Sequence, residues 1–206
     1  MQWDELITKR NTNFTWSSQD VSEVVIKSIN KEVYDNIPSK QMNMPYQVDI
    51  LNWKDPDLRN FIFANTHRNT NVPVEDDKGN PQVLAPWLYI ISSRNVKEDE
   101  RDELDTNDTK HVDKITYIET GIVATYIMLA SENKGLATGL CECIRNRDAI
   151  AKKIGREGSK VILMIGVGNP NGSQTYFDPR VTKERDIPYR QNPYKVPNFE
   201  SIFNIQ

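Results

Sequence analysis

The chain has 206 residues, a length that suits one domain, and 37 % of them are hydrophobic, enough for a core. Twenty-six basic and 29 acidic residues leave a net charge of −3, and no long basic tract offers a nucleic-acid surface. The longest apolar run, Val161 to Val167, is too short to span a bilayer, and the start M-Q-W-D-E-L-I is not the pattern of a secretory leader.

Cysteine and histidine are scarce: Cys141 and Cys143, His67 and His111. A one-residue spacing fits neither a zinc pair nor a redox C-x-x-C, and no H-E-x-x-H occurs. No metal site is expected. The cysteines read as reduced and structural, which points to a cytoplasmic protein, and neither they nor His67 are expected to be catalytic.

In chain order, Trp3 to Ile7 reads as a short helix, interrupted by the polar stretch Lys9 to Asn13. A helix is expected after Ser17, with Ser17 as its cap, Asp20 in its first turn and Val21, Val24, Val25 and Ile29 on its apolar face. Asn36 to Pro45 reads as a polar loop pinned by two prolines. Tyr46 to Leu51 alternates as a strand through Tyr46, Val48 and Ile50. Asp55-Pro56 opens a helix that turns Leu58, Phe61 and Ile62 inward.

Residues 69–82 are polar and carry a turn signal, and Ala85 to Ser92 is a second strand. Arg94 to Asp113 is a dense charge run with almost no apolar anchor, either a lid or a surface insertion. A central helix follows over Thr120 to Thr138. Ile122, Tyr126, Leu129 and Ala130 mark its buried stripe, and Gly135 and Gly139 stop it. Asn146 caps a helix holding Ile150 and Ile154 and ended by Gly155. Lys160 to Gly168 is a buried strand, and Asn169-Pro170-Asn171-Gly172 a turn. The tail over 177–206 is aromatic and weakly periodic, and its Tyr189, Tyr194, Phe199 and Phe203 would be better buried against a partner chain.

Three blocks together resemble the FMN-dependent nitroreductase family. The first is Lys9-Arg10-Asn11-Thr12-Asn13-Phe14. The second is Pro38-Ser39-Lys40-Gln41-Met42-Asn43-Met44-Pro45-Tyr46. The third is Glu119 to Cys141 followed by Lys160 to Pro170. They span most of the chain except about 69–113.

The resemblance implies an α+β fold: one nitroreductase-like domain, a mixed antiparallel sheet flanked by helices, in an intertwined homodimer with C-terminal exchange and FMN at the seam. It implies hydride transfer from NAD(P)H through FMN to a small electron-poor acceptor, with no catalytic side chain because the flavin carries the chemistry. Arg10 then maps to the leading flavin contact, Thr12 or Asn11 to a small polar position and Asn13 to a second contact. Ser39 orders the loop beside the ring, with Asn43 a further cofactor contact. Met44 stands where the family carries an amide and either packs against a flat acceptor in the substrate pocket or fills core space; Glu119 either faces that pocket or caps the central helix. Ala137, Thr138 and Gly139 match the turn beside the ring, and Lys195 or Arg190 the basic contact to phosphate. The alternatives are a dimer of the same fold without turnover and an interaction module unrelated to flavins.

Overall fold

The run Trp87-Leu88-Tyr89-Ile90-Ile91 is apolar at every position, the signature of a strand covered on both faces. The computed structural model, which describes residues 2–10, 12–39, 43–52, 54–67, 79–94 and 109–171 together with Ile202, places it at the centre of the sheet. Strands β1 (Tyr46–Asn52), β2 (Trp87–Ser93), β3 (Ala137–Cys141) and β4 (Val161–Gly168) lie in the order β1-β2-β4-β3. All three neighbouring pairs are antiparallel, from Tyr46 opposite Ser93 to Ala137 opposite Gly168.

Each face carries its own core. On one, Trp87, Tyr89, Ile91, Ile165 and Val167 pack against α2 (Glu23–Asn36) and α4 (Thr109–Asn133). On the other, Leu88, Ile90 and Met164 pack against α3 (Pro56–Ala64) and α5 (Arg147–Lys153). A short helix α1 (Trp3–Lys9) precedes them. Two ring donors inside these layers are paired: Trp87 Nε1 donates to Val21 O at 2.9 Å, and Tyr89 OH to Asn30 Oδ1 at 2.8 Å. The Arg147 guanidinium donates to the carbonyls of Val161 and Ile162 at 2.7 and 2.6 Å and pairs with Glu142.

The predicted cap at Asn146 is present, accepting from Ala149 N, and the predicted helix start at Asp55-Pro56 is held by Asp55, which accepts from Leu58 N. The second helix differs from its expectation. It begins at Glu23 with Ser22 as cap, while Ser17 Oγ accepts from Gln19 N in a separate turn. Its buried face is Ile26, Ile29 and Val33, and Val24 is exposed.

The central helix departs further. It starts at Thr109, inside the stretch expected to be a charged insertion, and ends at Asn133, well short of Thr138. Its buried side runs Thr116, Glu119, Thr120, Val123, Ala124, Ile127, Ala130, a helical spacing whose first half is polar. A hydropathy reading sees only the second half, and sees Ile122, Tyr126 and Leu129, which are half-buried, one step around the helix. Gly135, with φ of +78°, turns the chain out of the helix. Residues 68–78, 95–108 and the tail 172–201 and 203–206 lie outside the described residues, so the body of the predicted insertion and the partner-wrapping tail are not placed.

Candidate functional site

The polar segment after α1 is extended and runs along the sheet edge. Arg10 closes the helix, its amide donating to Leu6 O. Thr12 then forms a parallel bridge with Thr138, and Asn13 N donates to Thr138 O at 2.7 Å. Trp16 bridges Pro170, and Ser17 N donates to Asn169 O at 2.9 Å. Thus the first and third sequence blocks meet in space, across more than 120 residues of chain.

Ala137, Thr138 and Gly139 do not form the expected turn. They are the first three residues of β3, and the turn lies earlier, at Lys134 and Gly135. Gly139 also does not present an open face. A Cβ there would sit 2.5 Å from Asn13 O and 3.2 Å from two carbons of Gln82. The same packing recurs at Gly166 and Gly168, whose missing side chains are replaced by Gln82, Ala85, Trp16 and Pro86. The glycines on this face admit the chain's own segments, a role the sequence pattern leaves hidden.

Four side-chain oxygens are buried here or on the adjoining helix α4 with no partner among the described residues: Asn13 Oδ1, Thr138 Oγ1, Thr120 Oγ1 and Ser131 Oγ. The Asn13 amide nitrogen itself is used, donating to Thr15 O at 2.6 Å. Buried oxygens without partners cost about 1–3 kcal/mol each, so their retention fits a site completed by a polar ligand. Arg10, half-buried and just ahead of Asn13 in sequence, carries the charge an anionic ligand needs. Asn11, Arg190 and Lys195, the other expected contacts, lie outside the described residues.

The second block builds a separate group. Ser39 Oγ donates to Glu119 Oε2 at 2.6 Å and accepts from Met44 N at 3.0 Å. Met44 adopts a left-handed backbone, φ +42°. Arg94 clamps the loop from the other side: its Nε donates to Met44 O at 3.1 Å, its terminal nitrogen to Asn43 O at 2.8 Å, and its amide to Pro45 O at 3.0 Å. Asn43 is buried. Glu119 is 3 % exposed and sits well inside α4, so it is not a helix cap. Arg94 was not among the expected site residues. Its signal is positional, as the first charge after β2, whose apolar run Trp87 to Ile91 ends in Ser92 and Ser93.

Burial, reinforced by the Glu119 charge and opposed by Arg94, pushes the neighbouring Tyr46 hydroxyl up to about 12. Met44 and Tyr46 also line a cavity of about 280 Å³ between α2, β1 and α4, with Tyr34, Ile37, Val48 and Ile127. Glu119 does not line it. Met44 therefore meets an apolar space, whereas Glu119 holds the loop that carries Met44.

No protein-family model and no curated protein matches this sequence. Solved structures do match. A nitroreductase family protein from Streptococcus pneumoniae TIGR4 aligns over 100 % of both chains at 13 % identity, with a TM-score of 0.70. This chain has the nitroreductase fold. An NADPH:FMN oxidoreductase from Vibrio harveyi, solved with NAD+, aligns over 97 % of this chain and 80 % of its own at 18 % identity, TM-score 0.68. An FMN-dependent nitroreductase from Clostridium difficile R20291 covers 87 % and 95 % at 15 % identity, TM-score 0.61. The nitroreductase fold thus accommodates a sequence in which no glycine of β3 or β4 stands open, the sheet face being filled by Trp16, Gln82 and Pro86. Among the described residues, no helix is long and apolar enough to cross a membrane, and no cluster of metal-binding side chains occurs.

Proposed function

We propose that this protein is an FMN-dependent NAD(P)H oxidoreductase acting on a small electron-poor acceptor, as a homodimer with the flavin at the subunit seam. The observation that carries the reading is the meeting of Thr12 and Asn13 with Thr138, which leaves buried oxygens for a ligand at the place where the sequence blocks converge. Arg10 would hold the anionic end or a carbonyl of the flavin. Thr12, Asn13 and Thr138 would supply short polar contacts, with Lys195 or Arg190 as the distant basic partner. When bound, FMN supplies the two-electron chemistry that links NAD(P)H to a nitroaromatic, quinone or enal. The Ser39–Glu119–Arg94 group keeps the Met44 loop in one shape beside an apolar space suited to flat molecules.

The filled face at Gly139 favours a second reading, a dimer of this fold that binds flavin or a partner without turnover. The two separate in one experiment. The purified protein reconstituted with FMN should be yellow and should bleach anaerobically on adding NADH or NADPH. A stable flavin spectrum unmoved by either nucleotide would select the dimer without turnover.

A further inference from the structure

The cavity of about 280 Å³ between α2, β1 and α4 has a chemistry of its own. Residues two apart on a strand face the same way, so Tyr46, Val48 and Ile50 of β1 line it together. Val33 of α2 and Val123 and Ile127 of α4 complete apolar walls, and no charged side chain is among those that line it. Two polar groups on these walls have no protein partner among the described residues. Asn30 accepts from Tyr89 OH at 2.8 Å through Oδ1, and its amide nitrogen Nδ2 makes no hydrogen bond. The Tyr46 hydroxyl makes none either. Burial, reinforced by the Glu119 charge, holds that hydroxyl at about 12, so it keeps its proton and can donate at neutral pH.

We propose that this cavity is a binding site for a small, uncharged aryl carbonyl compound, its ring among the apolar walls and its oxygen accepting from the Asn30 and Tyr46 donors. Size selects a single ring. An apolar protein cavity of about 150 Å³ holds benzene, so this one takes a ring with a short substituent. A flavin or a nicotinamide nucleotide is too large for it. Tyr34, Tyr46 and Tyr89 all border the space, and ring–ring contact adds to what area burial alone provides.

The same walls argue against other guests. A carboxylate would find no cation, and the Glu119 charge is felt at Tyr46. An alkyl chain would leave both donors without an acceptor. The site does not rest on the flavin reading. β1 and β3 are opposite edges of the sheet with β2 and β4 between them, and no residue of the Arg10–Asn13 segment or of β3 lines the cavity.

The test is methyl NMR of the full-length chain, with labelled valine and isoleucine, titrated with acetophenone and separately with benzoate. Acetophenone should shift the methyls of Val33, Val48 and Ile127 saturably, and benzoate should leave them in place at the same concentrations. Infrared difference spectra of bound acetophenone should show its carbonyl stretch below the position it has in hexane, the mark of an accepted hydrogen bond. The double variant Asn30→Leu, Tyr46→Phe should weaken acetophenone about threefold to tenfold, the loss of neutral hydrogen bonds, without weakening ethylbenzene, which has no acceptor. Absence of saturable shifts at the cavity methyls, benzoate binding as tight as acetophenone, a carbonyl stretch at its hexane position, or a folded double variant with wild-type acetophenone affinity would each overturn the proposal. The wild-type shifts and the infrared band decide the matter even if the double variant fails to fold.

Discussion

Ser39 and Glu119 are 80 residues apart, and the serine hydroxyl donates to the buried carboxylate at 2.6 Å. That one contact joins the proline-pinned loop before β1 to the middle of α4. Because the same oxygen accepts from Met44 N, it also fixes the left-handed residue at the loop's end. Ser39→Ala removes both bonds and takes one partner from a buried carboxylate, so it should cost about 1–3 kcal/mol. Urea unfolding at neutral pH reads this directly, and Ser39→Thr, which keeps the hydroxyl, should recover part of the loss.

Tyr46 lies beside the same carboxylate, and its behaviour in alkali is the next expectation. Its ordinary value is near 10, and the folded protein raises it to about 12. Between those values the unfolded chain releases a proton that the folded chain keeps, so stability falls as pH rises through this window. Below pH 10 the contribution is fully present. Burial raises Tyr89 as well, in the same direction. Tyr46→Phe should therefore flatten the alkaline decline of the unfolding free energy by on the order of 2 kcal/mol, measured by urea titrations at successive pH values.

Met44 pays for its φ of +42° in strain, which a β-branched residue would worsen. Met44→Val should destabilise by about 1–2 kcal/mol. Met44→Asn, polar but tolerant of that backbone, should cost less. Thermal melts of the two variants side by side test whether backbone strain or lost apolar packing dominates.

What the sequence made legible followed from period and punctuation. The strands Tyr46 to Leu51, Ala85 to Ser92 and Lys160 to Gly168 were recognisable because alternation or continuous apolar character matches sheet burial, and Asp55 and Asn146 because caps have local chemistry. The first half of α4 was not legible, because Thr116, Glu119 and Thr120 turn a polar face inward. Nor was β3: A-T-G-L-C is short, glycine-containing and buried by its neighbours rather than by its own pattern. The likeness of blocks identified the fold, but it could not say that Gly139 would be filled by Asn13 and Gln82, since that depends on contacts distant in sequence.

Those glycine contacts give a graded prediction. Gly139→Ala puts a carbon 2.5 Å from the Asn13 carbonyl and should displace the N-terminal segment. Gly166→Ala collides with the Gln82 carbonyl and lies 2.8 Å from Ala85 Cβ and 2.9 Å from Trp16. Overpacking of this kind costs about 1–3 kcal/mol or more, and Gly166→Ala should be the worse of the two by urea unfolding. Gly139→Ala should, in addition, expose the amide of Asn13, now bonded to Thr138 O, to faster hydrogen exchange.

The central claim is that Arg10 and the segment pinned on Thr138 hold a flavin. Fluorescence titration of FMN with the wild-type chain and with Arg10→Gln tests it most directly. Saturable quenching by the wild type, weakened about tenfold or more in Arg10→Gln as one charge-assisted hydrogen bond is lost, is the predicted result. A folded wild-type protein that does not quench FMN, or an Arg10→Gln variant that binds it as tightly, would contradict the account.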